Sequence, residues 1–208
     1  MYAIEAALHG AEVVAIDVRS ERMDLGAEIA ARHGLDRIEF RREDALGIGR
    51  DTHGGFDVVY ALGLIYHLDW PQQFELLERI PGLCEKALIV DTVISVDGPT
   101  EFRRGGRTYR GERQREHADE DPAEVRRSRL LRSLENTFAV RLTRQSLARA
   151  LGDAGFTCVL ECLLPAEPGK GPDRVTMAAL AGEAVELGTY PWINRLPEEE
   201  IGRRLGLS

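Results

Sequence analysis

With 208 residues, 43% of them hydrophobic and 30% charged, the chain has enough apolar sequence for one sizeable core, and the whole of 1–208 reads as a single domain. A net charge of -8 argues against general affinity for nucleic acid or an anionic membrane surface. No apolar run approaches the length of a membrane span and no secretory pattern is visible, so a cytoplasmic protein is expected. Cys84, Cys158 and Cys162 lack metal-ligand spacing and read as small apolar residues in a reducing compartment, with no metal site.

Ile4, Ala7 and Leu8 fall at helical spacing before Gly10, so the chain opens on a helix over 2–9. Val13, Val14, Ala15 and Ile16 form a short apolar run that reads as an interior parallel strand with Asp17 at its carboxyl end. Ligands of open α/β sheets bind beyond those ends, where a carboxylate can grip a ribose hydroxyl pair. The other reading of Asp17 is a helix cap in a turn with Ser20, and the residues leave both open. A helix over 20–33 and a short strand over 38–40 follow, with a second rim acid, Asp44, just beyond. The polar, glycine-rich stretch 47–55 reads as a loop and 56–62 as another buried strand. Residues 63–68 then turn into a helix led by Pro71, and 87–93 reads as a strand carrying Asp91.

Residues 97–136 break this rhythm and read as an insertion or lid. Between 101 and 132 stand ten arginines against seven acids, a basic stretch in an acidic chain. A loop followed by a helix over 123–134 is expected, with Val125, Leu130, Leu131 and Leu134 on its apolar side. A lid over an anionic or RNA substrate is one reading; interleaved charges pairing with one another in a solvated excursion is the other. Thr143 is a good N-cap for a helix over 144–154, and strands over 156–164 and 174–180 close the sheet as an antiparallel hairpin. Residues 182–208 form a tail; Phe102, Tyr109 and Trp192 lack the fixed spacing of a base-stacking platform.

The order of the phrases 11–17, 43–45, 56–63 and 147–156 resembles the class I S-adenosylmethionine-dependent methyltransferases. The resemblance implies a doubly wound, mostly parallel Rossmann-like α/β sheet, with S-adenosylmethionine as cofactor and a small-molecule acceptor. It assigns the ribose hydroxyls to Asp17 and Val18, the adenine amine to Asp44 with Ala45, and the methionine and substrate side to Ala61, Leu62 and Gly63. His67, beyond the fourth family strand beside Tyr66, is the candidate catalytic base; its alternative role is packing the turn. The family's first strand and glycine-rich turn have no counterpart here, so the chain reads as an N-terminally cut fragment expected to bind the cofactor poorly. Two other readings stay open: a degenerate fold with a scaffold role, and a tRNA-modifying enzyme, since 63–68 and the long excursion bear a loose resemblance to the wobble-uridine carboxymethyltransferase. A nicotinamide-dependent oxidoreductase ranks below these for want of a Tyr and Lys proton relay.

Overall fold

A computed structural model of the chain describes residues 2–129, 132–162, 171 and 173–183. Helix α1 (Tyr2–Leu8) leads into strand β1 (Val13–Asp17), whose residues are all half-buried. Helix α2 (Ser20–Arg32) carries the chain back to strand β2 (Ile38–Arg42), which lies parallel to β1 with Asp17 opposite Arg42. Parallel neighbours need a crossover of about a dozen residues, and α2 supplies it. A helical turn, α3 (Arg50–His53), interrupts the stretch expected to be loop. It is pinned from inside, since His53 Nε2 stands 2.7 Å from Glu43 Oε2.

Strand β3 (Phe56–Leu62) and strand β4 (Cys84–Val93) form a second parallel pair, joined by helix α4 (Gln72–Arg79). Residues 97–136, expected as an insertion with a loop and a helix, also contain strands. Strands β5 (Thr100–Arg104) and β6 (Arg107–Arg115) make a hairpin, closed by Gly105 and Gly106 at φ 56° and 75°. Two successive left-handed residues match the right-handed strand twist, which is why a Gly-Gly pair closes so tight a turn. Helix α5 (Ala123–Ser128) is shorter than expected because Ser128 Oγ bonds back to Val125 O at 2.9 Å and Arg129 leaves helical geometry; Leu130 and Leu131 lie outside the described residues. Strand β7 (Phe138–Leu142) completes a three-stranded antiparallel sheet with β5 and β6.

Thr143 accepts from Ser146 N to start helix α6 (Arg144–Ala154), and Gly155 ends it at φ 115°. Strand β8 (Cys158–Glu161) follows, and strand β9 (Arg174–Leu180) lies antiparallel between it and β4. The expectation of one mostly parallel sheet is therefore corrected. The described strands form three sheets, β1-β2, β3-β4-β9-β8 and β5-β6-β7, with parallel pairing confined to β1-β2 and β3-β4. The division falls between β1 and β3, which share no ladder, and β3 leaves Val58 and Tyr60 exposed.

The core gathers Leu76 and Leu77 of α4, Leu88 and Val90 of β4, Val140 of β7, and Leu147 and Leu151 of α6, each at most 1% exposed. Burial of a side chain of this size contributes about 1.5–3 kcal/mol, so α4 and α6 are held mainly by these contacts. The antiparallel sheet is packed into the same core. Trp70 meets Phe74 and Phe102 at ring distances of 4.6 and 5.1 Å, Phe74 meets Tyr109 at 4.6 Å, and Tyr109 OH donates to Asp153 at 2.7 Å. Phe102 and Tyr109 are thus interior residues; Trp192 lies outside the described ones. No helix among the described residues is long and apolar enough to cross a membrane.

Candidate active site

The candidate residues stand at the carboxyl ends of two parallel pairs in separate sheets: Asp17, Val18, Asp44 and Ala45 beyond β1 and β2, and Ala61, Leu62, Gly63 and His67 at and beyond the end of β3. Asp17 closes β1, and its Oδ1 accepts from the backbone N–H of Arg19 at 2.9 Å, while Arg22 approaches Oδ2 at 3.4 Å. The alternative reading of Asp17, a capping turn with Ser20, is not what forms: its bond goes to Arg19 N–H, and α2 starts without a side-chain cap. Val18 beside it is half-buried. Glu43 N donates to Asp17 O at 3.2 Å, so the chain leaving β2 stays alongside and carries Asp44 onto the same rim. There Asp44 is exposed; its Oδ1 accepts from Leu46 N at 2.9 Å and caps a short turn that includes the half-buried Ala45.

Ala61 and Leu62 end β3, and Gly63 reverses the chain at φ 68°, donating its N–H to Asp91 O at 2.8 Å. A turn over Ile65–His67 then sets Tyr66 and His67 side by side, their rings 4.1 Å apart. The turn is anchored from below by Gln73, whose Nε2 donates to Ile65 O and Val140 O at 2.9 and 3.0 Å.

His67 has a partner that sequence reading did not supply. Glu116, just past β6 and 6% exposed, brings Oε2 to 3.5 Å from His67 Nδ1. That spacing is an ion-pair approach and too long for a full hydrogen bond, so the buried Nδ1 has no hydrogen-bond partner among the described residues. The same Oε2 accepts from Ser133 N at 2.8 Å. Burial pushes the Glu116 carboxyl up, but the approach of His67, the Ser133 N–H and the charge of Arg132 outweigh it and hold it below the usual glutamate value. At that distance the charge of the carboxylate favours a proton on Nδ1, the tautomer that would leave Nε2 as the basic nitrogen.

The arginines of 101–132 are largely committed within the chain. Arg104 pairs with Glu78, Arg113 with Asp69 and Arg129 with Asp121, each through two guanidinium nitrogens. Arg126 donates to the carbonyls of Ala118, Asp119, Asp121 and Glu135. Among the described residues no three metal-ligating side chains converge. Sequence alone carries no signal for Glu116, which lies far along the chain from His67 and reaches it only because β6 and β7 pack beside the turn.

Residues 1–86 match a family model described as a methyltransferase domain. The N-terminal domain of EvdMO1, solved in the presence of S-adenosylhomocysteine and D-fucose, superposes with a TM-score of 0.64 at 22% identity, over 83% of this chain and 67% of that one. The chain shares the fold of this domain. Other solved methyltransferases share it. The 1,6-didemethyltoxoflavin-N1-methyltransferase of Burkholderia thailandensis gives a TM-score of 0.57 at 22% identity, over 84% of this chain and 63% of that one. Magnesium protoporphyrin IX methyltransferase from Synechocystis PCC 6803 gives 0.56 at 14%, over 86% and 64%. The chain thus spans about two thirds or less of these three solved chains. No curated protein matches it in sequence.

Proposed function

We propose that this chain transfers a methyl group from S-adenosylmethionine to a hydroxyl or amine of a small-molecule acceptor. The observation that carries the reading is the pairing of Asp17 and Asp44 on one rim of the β1-β2 ladder, each holding one carboxylate oxygen on a backbone N–H. In this reading Asp17 and Val18 would hold the ribose hydroxyls, Asp44 with Ala45 would accept from the adenine amine, and Ala61, Leu62 and Gly63 would line the methionine side. When bound, S-adenosylmethionine supplies an electrophilic methyl on a sulfonium. The protein's own part is positioning and one proton: His67 Nε2 takes the proton of the acceptor's hydroxyl or amine, and Glu116 orients the ring. Solved relatives in fold named for a toxoflavin precursor and a magnesium porphyrin support a small-molecule acceptor. The internal commitment of the arginines disfavours RNA.

Calorimetric titration with S-adenosylhomocysteine tests the cofactor half of the reading. Replacing Asp17 with Ala should weaken binding about tenfold or more, the worth of a hydrogen bond to a charged group. An unchanged affinity removes Asp17 from the site.

A further inference from the structure

We infer that Arg19 is a positioning residue for His67, acting through a single peptide group. Arg19 is 8% exposed, and its guanidinium faces three backbone carbonyls: Nη1 donates to Arg127 O at 2.7 Å, and Nη2 to Arg129 O and Arg132 O at 3.1 Å each. It forms no ion pair with a carboxylate among the described residues, where its guanidinium meets backbone carbonyl dipoles instead. The third of those carbonyls matters most. Arg132 C=O and Ser133 N–H belong to one peptide plane, and the N–H end donates to Glu116 Oε2, the oxygen that faces His67 Nδ1.

The cation at the oxygen end of that peptide polarises it and strengthens the N–H bond to the carboxylate. Arg19 therefore braces the peptide that holds Glu116 without touching the carboxylate. The other end of Arg19 is equally placed for function, since its backbone N–H bonds Asp17 Oδ1 at 2.9 Å. One residue thus links the rim acid assigned to the cofactor with the pair assigned to the acceptor's proton. The inference rests on the reading of His67 as the base, but its structural core, control of the His67 tautomer by Arg19, can be measured apart from catalysis.

The experiment is nitrogen-15 NMR of the full chain with labelled histidine at neutral pH, His67 being assigned by loss of its signals in His67→Asn. In the wild type the tautomer with the proton on Nδ1 predominates. Glu116→Gln shifts the ratio toward the Nε2–H form by roughly tenfold, the effect of losing a charged partner beside Nδ1, and Arg19→Met shifts it the same way by a smaller factor, the effect of weakening the peptide that holds that partner. Arg19→Lys, which keeps the charge without the planar fork, shifts it less. Arg126→Met is the control for general loosening, because Arg126 ties the same segment through other carbonyls. It leaves the ratio unchanged if the relay is specific. The inference is overturned if Arg19→Met leaves the wild-type ratio while Glu116→Gln moves it, or if Arg126→Met moves it as far as Arg19→Met. If neither Glu116→Gln nor Arg19→Met moves it, the His67–Glu116 reading falls too, whereas failure to bind S-adenosylhomocysteine leaves the tautomer result standing and removes only the cofactor assignment.

Discussion

Arg174 reaches across the β4-β9 ladder to Asp91, its Nε standing 2.7 Å from Oδ1 while Thr176 Oγ1 donates to Oδ2 at 2.8 Å. Both oxygens of this 8% exposed acid are bonded across the β4-β9 ladder. Removing one partner of a buried pair leaves the other's charge uncompensated. Asp91→Ala is expected to cost about 3 kcal/mol, read as a lower urea midpoint at unchanged slope.

Glu116 sets a pH dependence whose sign is fixed. Its carboxyl titrates below the usual glutamate value of 4.5 in the folded chain. A depressed folded value means that the ionised form stabilises the fold at higher pH, and that this contribution is lost as pH falls through the folded value. Wild type and Glu116→Gln should therefore differ most in stability near neutral pH and converge progressively below about pH 4.5. Urea denaturation at a series of pH values checks it; a gap that widens in acid would contradict the assignment.

Asp44 can be tested by changing the ligand as well as the residue. If its carboxylate accepts from the adenine amine, the wild type should prefer S-adenosylhomocysteine over S-inosylhomocysteine, which carries a carbonyl there. Asp44→Ala should erase that preference, at a further cost of about 1 kcal/mol in stability from losing the cap on Leu46. Competition titrations of both ligands against both proteins give the four affinities needed.

Gln73 supports the His67 turn from the interior. Its side chain is 1% exposed and satisfies two carbonyls on different elements. Gln73→Leu keeps the volume and leaves both carbonyls without that donor, so a loss of about 2–3 kcal/mol is expected. Faster amide exchange in residues 64–68 would localise the damage.

The parallel half of this fold was legible in sequence because its signals are local. Val13 to Ile16 and Phe56 to Leu62 are apolar runs ending at a rim, and Thr143 and Gly155 mark the ends of α6 by their own chemistry. The antiparallel sheet was obscured by its composition. Residues 100–115 carry so many arginines that the alternation of β6, with Tyr109 and Gly111 buried, was outweighed by charge; the Gly105–Gly106 pair was the overlooked hairpin signal. The rim acids could be read from strand ends. Glu116 and Arg19 could not, since what defines them is a peptide bond more than a hundred residues beyond Arg19.

The hairpin turn at Gly105 and Gly106 also offers a practical handle. Both glycines are exposed, and a Cβ at either would meet nothing within 4 Å. Foreign sequence spliced between them would leave the strands paired and Phe102 and Tyr109 seated, so a fluorescent reporter could be carried there without disturbing the interior.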